Sequence, residues 1–297
     1  MNQLNKIVFF TSGRSDYDLI KNLIFLFSKN KYFKTHLLIA GTHSSNTYGN
    51  TDQFILKSNS IYKKKIKVKY LNESPSDIIF SSSDYLLQIQ NYISQINPDI
   101  FVFLGDRYET FISAYCAFIN RCKIIHLHGG ELTFSLYDDA LRHSISKFSH
   151  LHFVSHKTYK NRVLQLGEDK RNVFNVGAFG VENIKKRKKN LKVISEIVGF
   201  DIRKNKYILV CFHPETLKGS KTIVDFKILI ESIIKFKDYN IVFNIPNNDA
   251  FSKSFIDIID NKIKENDRFF LVKSLGSSNF FSLMEQSSLF IGNSSSE

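Results

Sequence analysis

Residues 101–109 read FVFLGDRYE, an apolar run that ends in Gly105, Asp106, Arg107 and, two positions later, Glu109. Nearly continuous apolar runs of this length are typical of parallel strands that are covered by helices on both faces. Ionisable groups placed directly after such a strand are unfavourable unless they are paired or used in chemistry. The segment therefore predicts a buried parallel strand with Asp106 at its carboxyl end, beside a ligand crevice.

Strand patterns and helix patterns alternate along the rest of the chain. Apolar runs predict strands at 6–10, 35–40, 100–104, 123–127, 151–154, 207–212, 240–244, 268–272 and 289–292. Intervening segments such as 17–28, 83–96 and 110–120 carry apolar residues at helical spacing. This alternation indicates an α/β fold with doubly wound parallel sheets. We predict two Rossmann-like domains, residues 1–180 and 181–297, joined by a linker near 177–190.

The net charge of +13 would suit a nucleic-acid or membrane-surface protein. Much of that charge lies in the basic clusters 63–69 and 185–189, which match no nucleic-acid motif and are expected to be solvated faces. Polyanion binding therefore stays a secondary alternative, and no nucleic-acid partner is expected. The remaining positive field would attract a pyrophosphate group. No apolar stretch reaches the length of about 18 residues that a membrane span needs.

The three cysteines, Cys116, Cys122 and Cys211, form no Cys-x-x-Cys pair, and their odd number argues against a disulfide framework. The N-terminal residues run directly into a strand pattern and lack the layout of a signal peptide. We therefore expect a cytoplasmic protein.

Candidate site residues follow the predicted strands, because ligands of open α/β sheets bind outside the carboxyl ends of the strands. After the first strand, Gly13 permits close backbone approach and Arg14 suits an anionic group, although an ordinary turn with a surface arginine is equally consistent. No Gly-x-Gly-x-x-Gly follows this strand, so a dinucleotide cofactor is not indicated. His43 follows the second strand, and a single loop histidine of this kind is more often a surface residue than a catalytic one.

The strand 123–127 leads into His126-Leu-His128-Gly-Gly-Glu131. Strand alternation would place both histidines on one side, where they could hold zinc together with nearby carboxylates. The glycine pair suits instead a tight turn that brings Glu131 into the crevice, so no metal is expected. Asp138 and Asp139 begin a helix that one of them can cap, and Arg142 can pair back with the first. Arg107 can likewise join a structural network with its neighbouring carboxylates.

In the second half, His213 follows the strand 207–212, and the serines 294–296 follow the strand 289–292. Their hydroxyl and N–H groups suit a diphosphate, although a polar helix cap is a comparable interpretation. The first half contributes three carboxylates, from Asp106, Glu131 and Asp138. Acids without a nucleophile–base pair favour proton transfer and elimination over acyl transfer.

Together these motifs resemble the hydrolysing UDP-N-acetylglucosamine 2-epimerases of sialic-acid biosynthesis. Their relatives act on the diacetamido-trideoxy sugar nucleotide of legionaminic-acid biosynthesis. The segments that carry the resemblance are 12–17 (SGRSDY), 105–109 (GDRYE), 126–131 (HLHGGE), 138–143 (DDALRH) and 292–296 (GNSSS). The resemblance implies a GT-B-like pair of Rossmann domains with the substrate in the cleft between them. It also implies homodimers or homotetramers.

The reaction that the resemblance implies converts UDP-N-acetylglucosamine and water to UDP and N-acetylmannosamine. A base removes the C2 proton while UDP leaves from C1, and water then adds to the 2-acetamidoglucal with inversion at C2. No redox cofactor is required. By position, the acid/base set is Asp106, Glu131 and Asp138, to which we add His213 as a fourth catalytic residue. The expected contacts to the UDP-sugar come from Arg14, His43, Arg107, Arg142, Phe280, Ser294, Ser295 and Ser296, with Phe280 near the uracil and His43 near the sugar.

Two positions depart from the family pattern. Leu19 stands where the non-hydrolysing bacterial relatives carry a lysine, which favours the hydrolysing branch. Glu297 stands where the family continues with a glycine and a further helix, so the second domain is expected to be incomplete. The alternatives are the diacetamido-sugar 2-epimerase, a non-hydrolysing epimerase, a GT-B glycosyltransferase and an inactive fragment.

Overall fold

A computed structural model describes residues 4–44, 55, 58–67, 75–133, 138–187, 189–212, 221–244, 252–272 and 275–293. Contacts between residues divide the chain into two units, residues 1–182 and 183–297. Each unit has a parallel sheet of its own with helices packed against it. No helix within the described ranges is both long enough and apolar enough to cross a membrane.

The first unit is built on seven parallel strands. They are β1 (Asn5–Thr11), β2 (Phe33–Ile39), β3 (Ile61–Lys65), β4 (Ile100–Leu104), β5 (Lys123–Leu127), β6 (Leu151–Val154) and β7 (Val173–Asn175). Their order in the sheet is β3-β2-β1-β4-β5-β6-β7. Since the order reverses between β1 and β4, a crevice is expected at the carboxyl ends of these two strands.

The helices of this unit cover both faces of the sheet. They are α1 (Arg14–Ser28), α2 (Pro75–Ile96), α3 (Tyr108–Ile119), α4 (Asp138–Phe148), α5 (Lys157–Gln165) and α6 (Phe179–Lys186). On β1, Ile7 and Phe9 pack on one side in the same apolar cluster as α1, while Val8 and Phe10 pack on the other with α2, α3 and α4. Successive side chains of a strand point to opposite faces, so two covered faces require the unbroken apolar run.

The second unit repeats this arrangement with four parallel strands. They are β8 (Tyr207–Cys211), β9 (Asn240–Asn244), β10 (Phe269–Val272) and β11 (Leu289–Gly292), in the order β10-β9-β8-β11. The helices are α7 (Leu191–Val198), α8 (Lys221–Ile233), α9 (Ser252–Glu265) and α10 (Gly276–Gln286). Ile208 and Val210 face one apolar cluster, and Tyr207 and Leu209 face another. The predicted fold class, two doubly wound α/β sheets, is confirmed.

The two basic clusters differ from each other in the structure. Residues 63–65 of the cluster 63–69 belong to the edge strand β3, which the apolar pattern misses because only Ile61 of the strand is buried. In the cluster 185–189, Arg187 is not solvated as predicted: its side chain is 8% exposed and pairs with Glu285 at 2.6 Å. Lys189 contacts the same carboxylate at 2.8 Å. These two ion pairs connect α10 with the segment that precedes α7. Residues 179–186 of the predicted linker form helix α6.

Candidate active site

The carboxyl ends of β4 and β5 lie side by side in the first sheet, with Leu104 opposite Leu127. Gly105 follows β4 with a φ of +83°, a left-handed conformation that favours glycine. Asp106 comes next, and Arg107 stands with an extended backbone directly before α3. The chain therefore leaves β4 in a sharp turn that places Asp106 at this edge of the sheet.

The guanidinium of Arg142 joins three segments at this edge. It donates hydrogen bonds to the carboxylate of Asp106, to Asp139 Oδ1 at 2.8 Å and to the Glu131 carbonyl at 2.7 Å. A further bond at 2.8 Å reaches the hydroxyl of Thr133. The side chain is buried, so it orients Asp106 and the segment 131–133 against α4.

The sequence pattern predicts that Arg142 pairs with Asp138, the first acidic residue of α4. The structure gives Arg142 the second, Asp139, three residues earlier on the same helix face. Asp139 also accepts a 2.7 Å hydrogen bond from the Thr133 N–H. Asp138, the residue predicted to be catalytic, is the first residue of α4.

Glu131 follows β5 across the glycine pair. Its carboxylate contacts His128 Nδ1 at 3.1 Å and accepts a hydrogen bond from the Ser155 hydroxyl at 2.5 Å. Burial alone would raise the pKa of Glu131, but the bonds from His128 and Ser155 outweigh burial, and the pKa lies below its ordinary value. Glu131 is therefore ionised at neutral pH.

The two histidines of the β5 segment do not share one side of a strand. His126 lies in β5 and is fully buried, whereas His128 follows the strand with a φ of +61°, which ends the alternation. His126 Nε2 bonds to the Gly105 carbonyl and Nδ1 to the Ser146 hydroxyl, both at 3.0 Å. Burial lowers the pKa of His126 to about 4, so the ring is neutral at neutral pH. Its bond to the Gly105 carbonyl stabilises the turn before Asp106. Over the described ranges, no group of three His, Cys, Asp or Glu side chains is placed to hold a metal ion.

His43 is fully buried, so the expectation of a surface histidine is wrong. It lies in a short 3-10 helix after β2, and its Nε2 contacts the Thr11 hydroxyl at 2.9 Å. A Cβ on Gly41 would lie 2.2 Å from the Ser12 carbonyl, so only glycine lets the ends of β1 and β2 come this close. Arg14 begins α1, directly after Gly13, which precedes the helix with an extended backbone.

Two further residues support the site although the sequence patterns do not single them out, and a third, Asp139, is predicted only as a possible helix cap. Arg162 of α5 donates a hydrogen bond to the Gly130 carbonyl, and Ser155 reaches Glu131 from the end of β6. Asp139 anchors Arg142. The first two contacts join residues 32 and 24 positions apart, and the third depends on the choice between adjacent aspartates, so no local pattern marks them.

In the second unit, β8 and β11 are neighbours, with Cys211 opposite Gly292. His213, Ser294, Ser295 and Ser296 come shortly after these strands but lie outside the described residues. Phe280 lies on α10, is partly buried and packs against the apolar cluster that contains Tyr207 and Leu209. Its ring lies 5.8 Å from that of Phe281.

Sequence comparison places these features among known proteins. The profile of the UDP-N-acetylglucosamine 2-epimerase family matches residues 27–296. The chain is 34% identical over 293 residues to the GDP/UDP-N,N'-diacetylbacillosamine 2-epimerase (hydrolyzing) of Campylobacter jejuni, covering 98% of this chain and 76% of that protein. It is also 34% identical over 297 residues to the polysialic acid biosynthesis protein P7 of Escherichia coli, covering 99% and 75%.

Among solved structures, the UDP-GlcNAc 2-epimerase of Neisseria meningitidis, bound to UDP-GlcNAc, superimposes with a TM-score of 0.81. The identity is 18% and the match covers 98% of this chain and 78% of that one, so the likeness shows the GT-B-like fold alone. The expectation of an incomplete second domain gains no support from these matches, which take in nearly all of this chain and about three quarters of each relative.

Proposed function

Because the chain belongs to the UDP-N-acetylglucosamine 2-epimerase family, we propose that it hydrolyses UDP-N-acetylglucosamine with inversion at C2, releasing UDP and N-acetylmannosamine. The observation that carries the proposal is the pair of carboxylates at adjacent strand ends, Asp106 held by Arg142 and Glu131 held by His128 and Ser155. Fixed carboxylates of this kind serve proton transfer beside a sugar carbon. No nucleophile is required.

In the proposed reaction, a carboxylate accepts the C2 proton as the C1–O bond to UDP breaks, which gives a 2-acetamidoglucal. Water then adds its hydroxyl to C1, and a proton returns to C2 on the opposite face. Glu131 is ionised at neutral pH and can accept a proton. Asp106 and Asp138 complete the proposed acid/base set, and His213 is proposed to act with them.

The proposed contacts to UDP follow the strand ends. Arg14 begins α1, where N–H groups of a helix terminus favour phosphate, and Arg107 precedes α3. Arg142 is proposed to hold Asp106 in place, because its guanidinium bonds the carboxylates of Asp106 and Asp139 together, and to contact the UDP-sugar from the same position. Phe280, Ser294, Ser295 and Ser296 are proposed for the uracil and diphosphate, and His43 for the sugar end of the site.

A second candidate substrate is a UDP-2,4-diacetamido-2,4,6-trideoxy sugar. It is favoured by the name of the Campylobacter relative, a hydrolysing diacetylbacillosamine 2-epimerase at 34% identity. The chemistry at C1 and C2 is the same for both substrates. They differ at C4, where an acetamido group replaces the hydroxyl, and at C6, where a methyl group replaces the hydroxymethyl group.

Proton NMR in D₂O separates these proposals. We expect free UDP and a free 2-epimerised sugar with deuterium at C2, from whichever nucleotide is the substrate, and no product from the Glu131→Gln variant. UDP released only when a sugar acceptor is added would show a glycosyltransferase. Interconverted UDP-sugars without free UDP would show a non-hydrolysing epimerase.

A further inference from the structure

One end of the first sheet carries exposed apolar side chains beside lysines. Four large apolar side chains there are between 45% and 65% exposed to solvent: Leu4, Phe25, Leu26 and Tyr32. Phe25 and Leu26 lie in the last turn of α1, Tyr32 lies in the turn that follows the helix, and Leu4 directly precedes β1. We call these four residues, together with Lys29 and Lys31, the α1 patch.

Backbone hydrogen bonds hold the segments of the α1 patch together. The Lys29 N–H donates to the Leu26 carbonyl at 3.2 Å, which turns the chain at the end of the helix. The N–H of Asn5, the residue after Leu4, donates to the Tyr32 carbonyl at 3.2 Å. The start of β1 therefore lies beside the turn that follows α1, and the patch is one surface rather than a set of scattered residues.

Each lysine of the α1 patch lies against an aromatic ring. Lys29 Nζ is 5.5 Å from the centroid of the Phe25 ring, and Lys31 Nζ is 5.3 Å from the centroid of the Tyr32 ring. Neither ammonium group is paired with a carboxylate of the described residues. Lysines in such positions lay their aliphatic stems on apolar surface and leave their charge available to a partner.

The charge around the α1 patch has one sign. From residue 19 to residue 51 the sequence contains four lysines and no aspartate or glutamate. Two carboxylates on neighbouring segments are already bonded, Asp18 to Lys21 at 2.8 Å and Asp99 to the Lys6 N–H at 2.7 Å. A surface of this kind attracts a partner that carries negative charge.

The apolar side chains decide which class of negatively charged partner fits. A soluble polyanion would pair with the lysines and leave Leu4 and Leu26 in water. The boundary of a bilayer presents lipid phosphates and hydrocarbon within the length of one side chain, and lysine, tyrosine and leucine side chains all find favourable contacts there. The residues of the patch therefore match an anionic lipid surface.

We propose that the α1 patch docks this protein on the surface of an anionic lipid bilayer, with its apolar side chains among the headgroups and its lysines on lipid phosphates. The patch lies at the amino ends of β1 and β2, whereas Asp106 and Glu131 follow the carboxyl ends of β4 and β5 in the same parallel sheet. Docking through the patch therefore leaves that edge of the sheet free. This proposal is independent of which sugar nucleotide the protein uses.

Cosedimentation of the full chain with lipid vesicles tests the docking. We expect the wild type to bind phosphatidylcholine vesicles that contain about 30% phosphatidylglycerol, and to bind pure phosphatidylcholine at least about tenfold more weakly. The double variant Lys29→Ala and Lys31→Ala should bind the anionic vesicles about thirtyfold more weakly, because each lysine near such a surface contributes about fivefold. The control double variant, Lys227→Ala and Lys264→Ala, removes two exposed lysines from α8 and α9 and should bind like the wild type. A wild type that does not bind, or equal weakening in the two double variants, would overturn the proposal.

Leu26→Ser separates a lipid surface from a soluble polyanion. This change removes apolar area and no charge, so we expect binding to anionic vesicles to weaken about tenfold and binding to heparin to stay unchanged. Vesicle binding that Leu26→Ser leaves unchanged would make the patch a general polyanion site and overturn the proposal. Thermal melts followed by circular dichroism check that the variant folds like the wild type.

A fluorescent label gives a measurement that does not depend on weakened binding. Cys116, Cys122 and Cys211 are buried, so a cysteine introduced at Leu26 is the accessible thiol. An NBD group on Leu26→Cys should gain intensity and shift its emission to shorter wavelength when anionic vesicles are added. The same label on Ile228→Cys, at an exposed position of α8, should show no change. Equal responses of the two labels, or no response at Leu26→Cys, would contradict the proposed patch.

Discussion

His128 Nδ1 lies 3.1 Å from the carboxylate of Glu131, although a glycine pair separates the two residues in sequence. The His128 ring stacks on Phe179 with centroids 5.3 Å apart and planes within 7°. The Phe179 N–H approaches His128 Nε2 at 3.5 Å, so Nε2 accepts a hydrogen bond and Nδ1–H donates one to Glu131. These contacts hold the His128 ring where it orients the carboxylate of Glu131.

Removing a hydrogen-bond donor that contacts the Glu131 carboxylate should move the acid limb of the pH–rate profile to higher pH. In the wild type the pKa of Glu131 lies below the ordinary 4.5, so activity and the stability contributed by this carboxylate are lost only as pH falls below that value. His128→Ala and Ser155→Ala each remove a hydrogen bond that lowers the pKa of Glu131. Burial then raises this pKa, so the loss of activity begins at a higher pH than in the wild type. Initial rates of UDP release between pH 4 and 8 measure this shift. Ser144→Ala, at a partly exposed serine on α4, is the control, and an unmoved acid limb in both site variants would refute the role of these two donors.

Asp138 and Asp139 should respond differently to the same change. Asp139→Asn weakens the bonds to Arg142 and Thr133, so we expect a melting temperature lower by several degrees. Asp138→Asn should lower turnover by about a hundredfold or more, as expected for loss of an acid/base group. Thermal melts and steady-state rates of both variants show which aspartate has the structural role and which has the catalytic role. The reverse pattern would assign the catalytic role to Asp139.

Arg142→Ala should be destabilising as well as inactivating. The change leaves Asp106 and Asp139 without their shared cation, and breaking a buried pair from one side costs about 3 kcal/mol or more. Arg142→Lys should recover part of the stability but less of the turnover, since lysine lacks the planar fork that reaches both carboxylates. Urea unfolding and UDP-release rates are the measurements. Arg171→Ala, which removes an exposed arginine paired with Asp169, is the matched control and should change neither.

Acid should destabilise the first unit before carboxylates protonate. Burial lowers the pKa of His36 to about 4, with Lys34 and Lys6 adding to the effect, and burial lowers the pKa of His126 to about 4. Between pH 6.5 and 4 the unfolded chain binds these protons and the folded chain does not, so the free energy of unfolding falls as pH falls. We express each urea midpoint relative to that protein's own midpoint at pH 8. As pH falls across this range, the relative midpoint should fall less steeply for His36→Gln than for the wild type. Equal slopes of urea midpoint against pH in the two proteins would contradict a contribution of His36 to the acid destabilisation.

The apolar runs are sufficient to predict nine of the eleven strands in the described part of the chain, because a strand covered on both faces must be apolar at successive positions. The two missed strands, β3 and β7, are edge strands with one buried residue each, so they carry no such run. The same limit applies to the basic clusters. Nothing local distinguishes Arg187, which is buried against Glu285, from the exposed lysines of β3.

The α/β class, the two sheets and the positions of Asp106 and Glu131 just after strands can be predicted from the sequence alone, because these features depend on local periodicity. Three features are visible only in the folded chain: the bond from Arg142 to Asp139, the burial of His43 and the contact of His128 with Glu131. Those outcomes depend on contacts between distant segments and on single backbone angles, and hydrophobic periodicity is insensitive to both.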